Sequence, residues 1–389
     1  MLQIFLLFLL CCQLCGAPLQ VETKAASAIL MNAKTGAVLY DKEAKVQSFP
    51  ASVTKIATAL YLLDALHLDL NQTVTVSKSA LRRKPNGAID PPHGITSDST
   101  LMGLKAGESF TIEDLLHGLM MVSGNDAANV LAEAVSGSVV KFMEQLNAYV
   151  RALGCTRTQF VNPHGYHHPE HVSNAYELCL LTKKALQIPK FCEIVAKPFY
   201  KASQNIEFKQ RNKLMRPGEH FYPKAIGVKT GYHSSAKNNL VAAASHDDRT
   251  LIAVVLGCPE SDDRYRDARA LFDAAFKEEK IEILLVSNDK IYLKQIEGAK
   301  SQLEASLFNP LVISFYPSEM PHVRGFIYWD ALSLPIRAGQ KVGTIQVQDE
   351  DGKEIISQAL LAQKPVDATF FFALKQHAKR VLNFLKNLF

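Results

Sequence analysis

Three short motifs follow one another along this chain of 389 residues and constrain its fold more than any other feature. They are S-x-x-K at Ser52, S-x-N at Ser123 and K-T-G at Lys229. Together they describe one site, which holds an activated serine, a polar bridge and a cationic wall for an anionic substrate. The chain must therefore bring three segments that are remote in sequence to a single cleft.

The choice among competing copies of these motifs decides the interpretation. Further S-x-x-K copies begin at Ser138, Ser234 and Ser287. A second K-T-G begins at Lys34 and a second S-x-N at Ser203. Lys34 lies in the turn of a predicted β-hairpin over residues 28–41, and Ser138 is expected to cap a helix. Ser234 and Ser287 lie near predicted strands or turns, where residues three apart do not face each other. Only Ser52 opens a helix and precedes the other two motifs.

The first motif predicts a serine–lysine pair. A serine hydroxyl becomes a good nucleophile only when a base takes its proton. Residues three apart share a helix face, so Ser52 Oγ is expected beside Lys55 Nζ. Lysine acts as a base only when it is neutral, and both burial and a neighbouring cation, here Lys229, lower its pKa. Free backbone N–H groups at the helix start would also help to hold a developing oxyanion.

The second and third motifs supply groups that bridge and bind. Ser123 is expected to relay a proton, and Asn125 to hold both the lysine and an amide of the substrate. The Lys229 ammonium and the Thr230 hydroxyl suit a carboxylate. Gly231 is expected to let the substrate backbone approach a strand whose exposed edge pairs with an extended peptide.

Longer stretches around the motifs resemble the serine D-alanyl-D-alanine carboxypeptidases, which are the low-molecular-mass penicillin-binding proteins. These stretches are residues 49–56, 122–128, 162–165 and 227–231. The resemblance implies an enzyme that removes the terminal D-alanine of peptidoglycan stem peptides through an acyl-enzyme. It also implies covalent inhibition by β-lactams, and neither a cofactor nor a metal ion is expected.

The same resemblance assigns a role to individual residues. The implied catalytic set is Ser52, Lys55 and Ser123, and the implied substrate-binding set is Asn125, Lys229, Thr230, Gly231, Tyr232 and Arg264. The backbone N–H groups of Ser52 and Tyr232 are expected to form an oxyanion hole. Arg264 is expected to help bind the terminal carboxylate. Residues 82–100 are longer than the family pattern, so they are expected to lie over the cleft.

The pattern of helices and strands predicts two domains. Residues 25–279 mix both types with strands at each end, which predicts an α+β domain; the resemblance implies a β-lactamase/transpeptidase-like antiparallel sheet flanked by helices. Residues 280–366 contain short strands, one of them at 332–335, which predict a small β-sandwich. Residues 334–362 resemble the β-rich C-terminal domain of the same family.

Both termini carry localisation signals. An apolar run followed by small residues predicts a signal peptide over residues 1–17, with an uncleaved N-terminal anchor as the alternative. Residues 370–389 predict an amphipathic helix with a basic face and no acidic residue, which favours binding to a membrane surface over docking on the protein. The expected location is the periplasmic, outer face of the cytoplasmic membrane, with peripheral anchoring.

Composition excludes some functions and leaves others open. The net charge of +5 without a Lys/Arg block gives no support to nucleic-acid binding. The histidines of residues 164–171 lie in a Pro- and Gly-containing loop, which favours a structural role over zinc binding. Spacing leaves the pairing of four cysteines open, with free thiols slightly favoured. They are Cys155, Cys179, Cys192 and Cys258.

Three alternative functions share the same scaffold. A class A β-lactamase usually reads S-D-N and needs a deacylating glutamate, whereas this chain has Gly124 and no clear E-x-x-L-N segment. A non-catalytic β-lactam sensor or wall-binding protein ranks lower, because all the motif residues are present. A DD-endopeptidase uses identical chemistry and stays open.

Overall fold

The chain forms two compact units in a computed structural model that describes residues 5–6, 18–66 and 68–386. The larger unit spans Pro18–Lys277, and the smaller one contains Glu278–Phe389. The predicted signal peptide lies outside the described residues, apart from the two-residue strand β1, Phe5–Leu6, which belongs to the smaller unit.

The larger unit is built on a five-stranded antiparallel sheet with two short hairpins beside it. Its strands are β2 (Ser27–Asn32), β3 (Val38–Lys42), β4 (Thr73–Thr75), β5 (Ser109–Thr111), β6 (Phe199–Lys201), β7 (Glu207–Lys209), β8 (Ala225–His233), β9 (Lys237–His246) and β10 (Arg249–Cys258). The main sheet has the order β3-β2-β10-β9-β8, while β4 pairs with β5 and β6 with β7. Strand β8, which carries the K-T-G motif, therefore lies at an edge.

Seven α-helices surround this sheet in the described part of the larger unit. They are α1 (Lys55–Asp64), α2 (Ile112–His117), α3 (Asn125–Ser136), α4 (Val139–Ala152), α5 (Ala175–Ala185), α6 (Pro189–Ala196) and α7 (Asp263–Phe276). Short 3₁₀ turns cover Ala51–Thr54 and Lys213–Met215, and a π-helical segment covers Gly118–Val122. The Ser138 side chain accepts a hydrogen bond from the Lys141 N–H, so its predicted capping role is confirmed.

Helices cover both faces of the sheet, which explains its nearly continuous apolar strands. In β2, Ile29 and Met31 pack in the core that contains α1 to α6. Ala28 and Leu30 point to the opposite face and pack with residues of α7. Side chains of a strand alternate between faces, so burial on both sides leaves little polar signal in the sequence. The predicted α+β class is confirmed.

The smaller unit is rich in strands. They are β11 (Ile281–Val286), β12 (Tyr292–Lys294), β13 (Leu303–Leu307), β14 (Leu311–Phe315), β15 (Arg324–Trp329), β16 (Lys341–Gln348) and β17 (Glu354–Ala362). A six-stranded sheet has the order β1-β15-β16-β17-β13-β12, and β11 pairs separately with β14. A 3₁₀ turn covers Pro317–Glu319. Residues of both sheets share one apolar core, which includes Val286, Leu311 and Leu360.

The strand predicted at residues 332–335 is wrong. This segment is irregular, and the strand nearby is β15, Arg324–Trp329; neither β15 nor β13 is among the predicted strands. Pro335 has no N–H to donate to a ladder, so the segment is a poor strand despite its apolar residues. Gly325 near the start of β15 weakens the local strand signal there.

The C-terminal helix α8 spans Phe370–Lys386 and begins on the surface of the smaller unit. The Thr369 N–H donates to the Gly298 carbonyl at 2.8 Å. A Cβ on Gly298 would lie 2.1 Å from the Phe372 ring, so this ring packs closely over the glycine. Phe370 and Phe371 remain 73% and 81% exposed. Among the described helices, none combines the length and apolarity that a membrane crossing needs.

Candidate active site

Ser52 lies in a short 3₁₀ turn at the entrance to α1, where the sequence predicted a helix start. The turn covers Ala51–Thr54, and Lys55 is the first residue of α1. Ala51 has φ of 50°, in the left-handed region that residues with a side chain rarely adopt. Lys55 is fully buried and Ser52 is half-buried, and their Nζ and Oγ atoms are 3.1 Å apart. The structure thus brings together the two side chains of the predicted serine–lysine pair.

Lys55 Nζ has three polar neighbours. Besides Ser52 Oγ, it lies 2.8 Å from Asn125 Oδ1 and 2.7 Å from the His164 carbonyl. A neutral amine has two N–H bonds, which these two pure acceptors can use. Its lone pair then remains for the third neighbour, so the Ser52 hydroxyl can donate to it. The amine is thereby placed to take the serine proton.

The surroundings of Lys55 favour the neutral amine. Its pKa lies well below the usual value, first because burial disfavours the ammonium, and next because the Lys229 and Arg211 charges repel it. The Asp126 carboxylate opposes this effect. The sequence predicted the contribution of Lys229, but the contribution of Arg211 has no signal in the three motifs.

The S-x-N segment forms a tight bend between two helical pieces. Helix α2 is followed directly by the π-helical segment, and Ser123 comes next in the left-handed conformation with φ of 70°. A Cβ on Gly124 would lie 2.8 Å from Asp126 Oδ1 and 3.1 Å from Met102. The Asp126 carboxylate also accepts hydrogen bonds from three successive backbone N–H groups, of residues 102, 103 and 104. This close packing fixes the bend, in which Ser123 and Asn125 are both buried and Asn125 Oδ1 contacts Lys55 Nζ.

The K-T-G segment places a second buried lysine in the same cleft. Lys229 is 1% exposed, and its Nζ donates to the Thr230 carbonyl at 3.0 Å. Burial, and then the charges of Arg211 and Arg264, lower its pKa to about 7. Near neutral pH a substantial fraction of this side chain is therefore an ammonium, and an anionic ligand would favour that form further.

The structure shows a reason for a glycine at position 231 other than the predicted approach of the substrate backbone. A Cβ there would lie 2.9 Å from the Pro50 carbonyl oxygen and 3.2 Å from the backbone nitrogen of Ser52. The glycine therefore lets β8 pack directly against the turn of the nucleophile, in addition to any role toward a substrate backbone. Its carbonyl accepts a hydrogen bond of 3.1 Å from Arg264, which lies over the Tyr265 ring.

The rim of the cleft is aromatic and rich in imidazole. Tyr232, which follows the glycine, is 66% exposed. The next residue, His233, stacks on His167 with ring centroids 4.8 Å apart and meets the edge of Tyr166 at 5.6 Å. The Tyr166 hydroxyl donates to Asp98 at 3.3 Å, which joins this rim to the 82–100 segment.

The 82–100 segment also packs behind the buried lysine. Tyr166 N–H donates to His164 Nδ1, so the other ring nitrogen of the neutral imidazole carries the proton. That His164 Nε2 donates to the His93 carbonyl at 3.4 Å. His164 is completely buried, and burial together with the Lys55 charge holds its pKa well below the usual value. The segment thus supports the histidine whose own carbonyl binds Lys55.

The remaining sequence expectations concern cysteines and metal ligands. All four cysteines of the larger unit are free thiols, in accordance with the favoured prediction. Within the described part of the chain, the group of possible metal ligands is Glu219, His220 and Asp262, outside the histidine-rich loop. The Lys213 ammonium lies 3.0 Å from Asp262 Oδ1 and already compensates that carboxylate.

Comparison with known proteins agrees with this geometry. Residues 15–260 match the family model described as D-alanyl-D-alanine carboxypeptidase. The chain belongs to this family. It is 30% identical to the D-alanyl-D-alanine carboxypeptidase DacF of Bacillus subtilis, over 90% of this chain and 86% of the relative. It is 31% identical to DacD of Salmonella typhimurium, over 90% and 87% of the two chains.

Solved structures of similar proteins support the same assignment. Penicillin-binding protein 5 of Haemophilus influenzae aligns with a TM-score of 0.63 at 27% identity, over 90% of this chain and 100% of that one. Penicillin-binding protein 6B of Escherichia coli gives 0.64 at 27% identity, over 92% and 99%. The predicted transpeptidase-like fold and the resemblance to this carboxypeptidase family are therefore confirmed, and the chain is a serine-type hydrolase.

Proposed function

We propose that Ser52 is the nucleophile with which this carboxypeptidase removes the terminal D-alanine of peptidoglycan stem peptides. The contact set of Lys55 Nζ carries this proposal, because two carbonyl acceptors occupy its N–H bonds and leave its lone pair toward Ser52. The substrate carboxylate would lie against Lys229 and Thr230, with Arg264 nearby. Asn125 would then hold a peptide amide.

The reaction proceeds in two steps, acylation of Ser52 and hydrolysis of the acyl-enzyme. Ser52 Oγ forms a bond to the carbonyl carbon of the penultimate D-alanine while its proton passes to Lys55 Nζ. The C–N bond then breaks, and the leaving amine receives a proton from Lys55, relayed by Ser123. Water attacks the resulting ester, the serine is restored, and the shortened peptide leaves. The backbone N–H groups of Ser52 and Tyr232 would stabilise the oxyanion in both steps.

The experiment compares four activities of the purified protein, with Ser52→Ala as the control. We expect stable labelling by a fluorescent penicillin and release of D-alanine from a peptide that ends in D-Ala-D-Ala, both absent in the variant. Labelling without release would indicate a sensor, and rapid penicillin turnover would indicate a β-lactamase. Cleavage of a crosslinked peptide dimer at a higher rate than D-alanine release would favour an endopeptidase.

The pH dependence of the reaction follows from the two buried lysines. Lys55 must be neutral, so activity is lost as the pH falls through the lowered pKa of this lysine. Lys229 must be protonated, so substrate binding weakens as the pH rises above the Lys229 pKa of about 7 in the free enzyme. Removing the Arg211 charge favours the protonated form of both lysines. Arg211→Gln should therefore move both limbs of the kcat/KM profile to higher pH, whereas the exposed Arg157→Gln should leave the profile in place.

We further propose that the chain is organised as the sequence predicted, with a carboxypeptidase domain over residues 25–279 and a β-rich domain over residues 280–366. The segment of residues 370–389, which contains α8, would anchor the exported enzyme to the outer face of the cytoplasmic membrane. Phe372 packs over Gly298, while Phe370, Phe371 and Leu374 stay exposed. This arrangement supports anchoring, because it holds the helix start and leaves apolar side chains for lipid.

Anchoring can be tested on vesicles that contain anionic lipid. Replacing Phe370, Phe371 and Leu374 together with serine should lower the bound fraction in a flotation assay about tenfold or more, because each side chain loses more than 1 kcal/mol of transfer free energy. Phe308→Ser is the matched control, since Phe308 is 74% exposed in the same unit but lies outside the helix. Equal binding of the triple variant and the control would argue against the anchor.

A further inference from the structure

The turn that presents Ser52 is held in an unfavourable backbone conformation. Ala51 directly precedes the serine and has φ of 50°. A left-handed residue with a side chain costs about 1–2 kcal/mol, so neighbouring groups must stabilise it. Any relaxation of Ala51 would rotate the peptide that leads into Ser52 and would displace its Oγ atom from Lys55.

A chain of hydrogen bonds ends on the carbonyl of Ala51. The Val161 N–H donates to His171 Nδ1 at 3.2 Å, and a backbone N–H can only donate. His171 Nδ1 is therefore the acceptor, and the proton of the neutral ring lies on Nε2. That Nε2 is 2.8 Å from Thr54 Oγ1, which in turn is 2.8 Å from the Ala51 carbonyl oxygen. The proton positions are therefore fixed: the Val161 N–H donates to His171, His171 donates to Thr54, and the Thr54 hydroxyl donates to the Ala51 carbonyl.

The two side chains that link the Val161 N–H to the Ala51 carbonyl are buried. Thr54 is fully buried and His171 is 2% exposed. Burial, followed by the nearby charges of His168, His167 and Lys55, lowers the pKa of His171 to about 3. The imidazole is therefore neutral throughout the range in which an exported enzyme works. The direction of the hydrogen bonds does not change with pH over that range.

The opposite side of the same turn is held by β9. Asn239 Nδ2 donates to the carbonyls of Phe49 and Pro50, at 2.9 and 3.0 Å, and Asn239 Oδ1 accepts from the Gly257 N–H. The two residues before Ala51 are thus fixed to the sheet. Thr54 supplies a hydrogen bond to the remaining carbonyl, that of Ala51 itself.

We propose that Thr54 and His171 act together as positioning residues for the nucleophile, holding Ala51 in its left-handed conformation so that Ser52 Oγ faces Lys55. Neither side chain needs to touch substrate. The inference rests on the proposed role of Ser52. Because a displacement of about 1 Å can cost about 100-fold in rate, loss of the Thr54 hydroxyl should slow acylation while initial β-lactam binding is unchanged.

The test compares isosteric substitutions in the full-length protein by stopped-flow acylation with a chromogenic cephalosporin. Thr54→Val should lower the acylation rate constant about 10- to 100-fold without changing the dissociation constant of the initial complex, and Thr54→Ser should restore most of the rate. Thr182→Val is the matched control, because its fully buried hydroxyl donates to the Leu178 carbonyl at 2.7 Å in α5. It should lower the melting temperature similarly but leave the acylation rate constant intact.

His171→Phe tests the chain from its other end and remains informative should Thr54→Val fail to fold. It should slow acylation to a similar extent, and the double variant should be no slower than the slower single variant, because both break one chain. The proposal would be overturned if the rate losses of the two single variants multiplied in the double variant. It would also be overturned if Thr54→Val had the wild-type acylation rate constant, or if Thr182→Val lost as much of that rate constant as Thr54→Val. A wild-type protein that forms no acyl-enzyme would instead refute the proposed nucleophile.

Discussion

Replacing Lys55 with methionine should lower the second-order rate of acylation by a labelled penicillin about 10³-fold or more. Methionine has nearly the same length and no basic atom, so Ser52 Oγ loses the group that accepts its proton. General bases contribute about 10²–10⁴-fold, and the Nζ atom of Lys55 lies 3.1 Å from the Ser52 hydroxyl. Gel fluorescence after timed incubation measures the rate, and circular dichroism checks that the variant is folded.

The matched control for this prediction is Lys141→Met. Lys141 is an exposed residue of α4, so the control makes the same side-chain replacement without touching the cleft. Acylation by the control should stay within about twofold of wild type, because surface charges far from a site are screened. If the Lys55→Met protein were acylated at a rate within tenfold of the wild-type rate, another group would have to take the proton of Ser52.

Replacing Gly165 with alanine should destabilise the larger unit by more than about 4 kcal/mol and abolish acylation. The new Cβ would lie 1.9 Å from the Ala51 carbonyl oxygen and 2.9 Å from Thr54 Oγ1, both in the turn of the nucleophile. Gly165 also has φ of 85°, so the alanine would be strained even if space were available. Urea unfolding followed by circular dichroism measures the free energy, and labelled penicillin measures the acylation.

Gly137→Ala separates backbone strain from steric conflict. Gly137 has φ of 78°, but a Cβ there meets no atom within 4 Å. This substitution should therefore cost only about 1–2 kcal/mol, the price of the left-handed conformation, and acylation should persist. If both substitutions lowered the free energy of unfolding equally, the turn around Ala51 could move to accommodate a Cβ at residue 165. The close packing of Gly165 against that turn would then not be needed for stability.

Local patterns predicted most of the elements around the cleft. Ser138 caps α4 and Lys34 lies in the β2–β3 turn, because a capping serine and a glycine-containing hairpin leave signals within a few residues. The smaller unit was harder to predict. A strand was placed at residues 332–335, while β13 and β15 were missed, because short strands depend on distant partners more than on local sequence.

The order of the three motifs by itself identified Ser52, Lys55 and Lys229 as members of one site, and the surrounding stretches identified the family. That much is readable because motif spacing and order are properties of the linear chain. The lowered pKa of Lys55 depends on burial and on Arg211, and the need for Gly231 depends on the turn at Pro50. Distances between residues remote in sequence, and the exclusion of water from them, exist only after folding, so the tertiary structure alone decided these features.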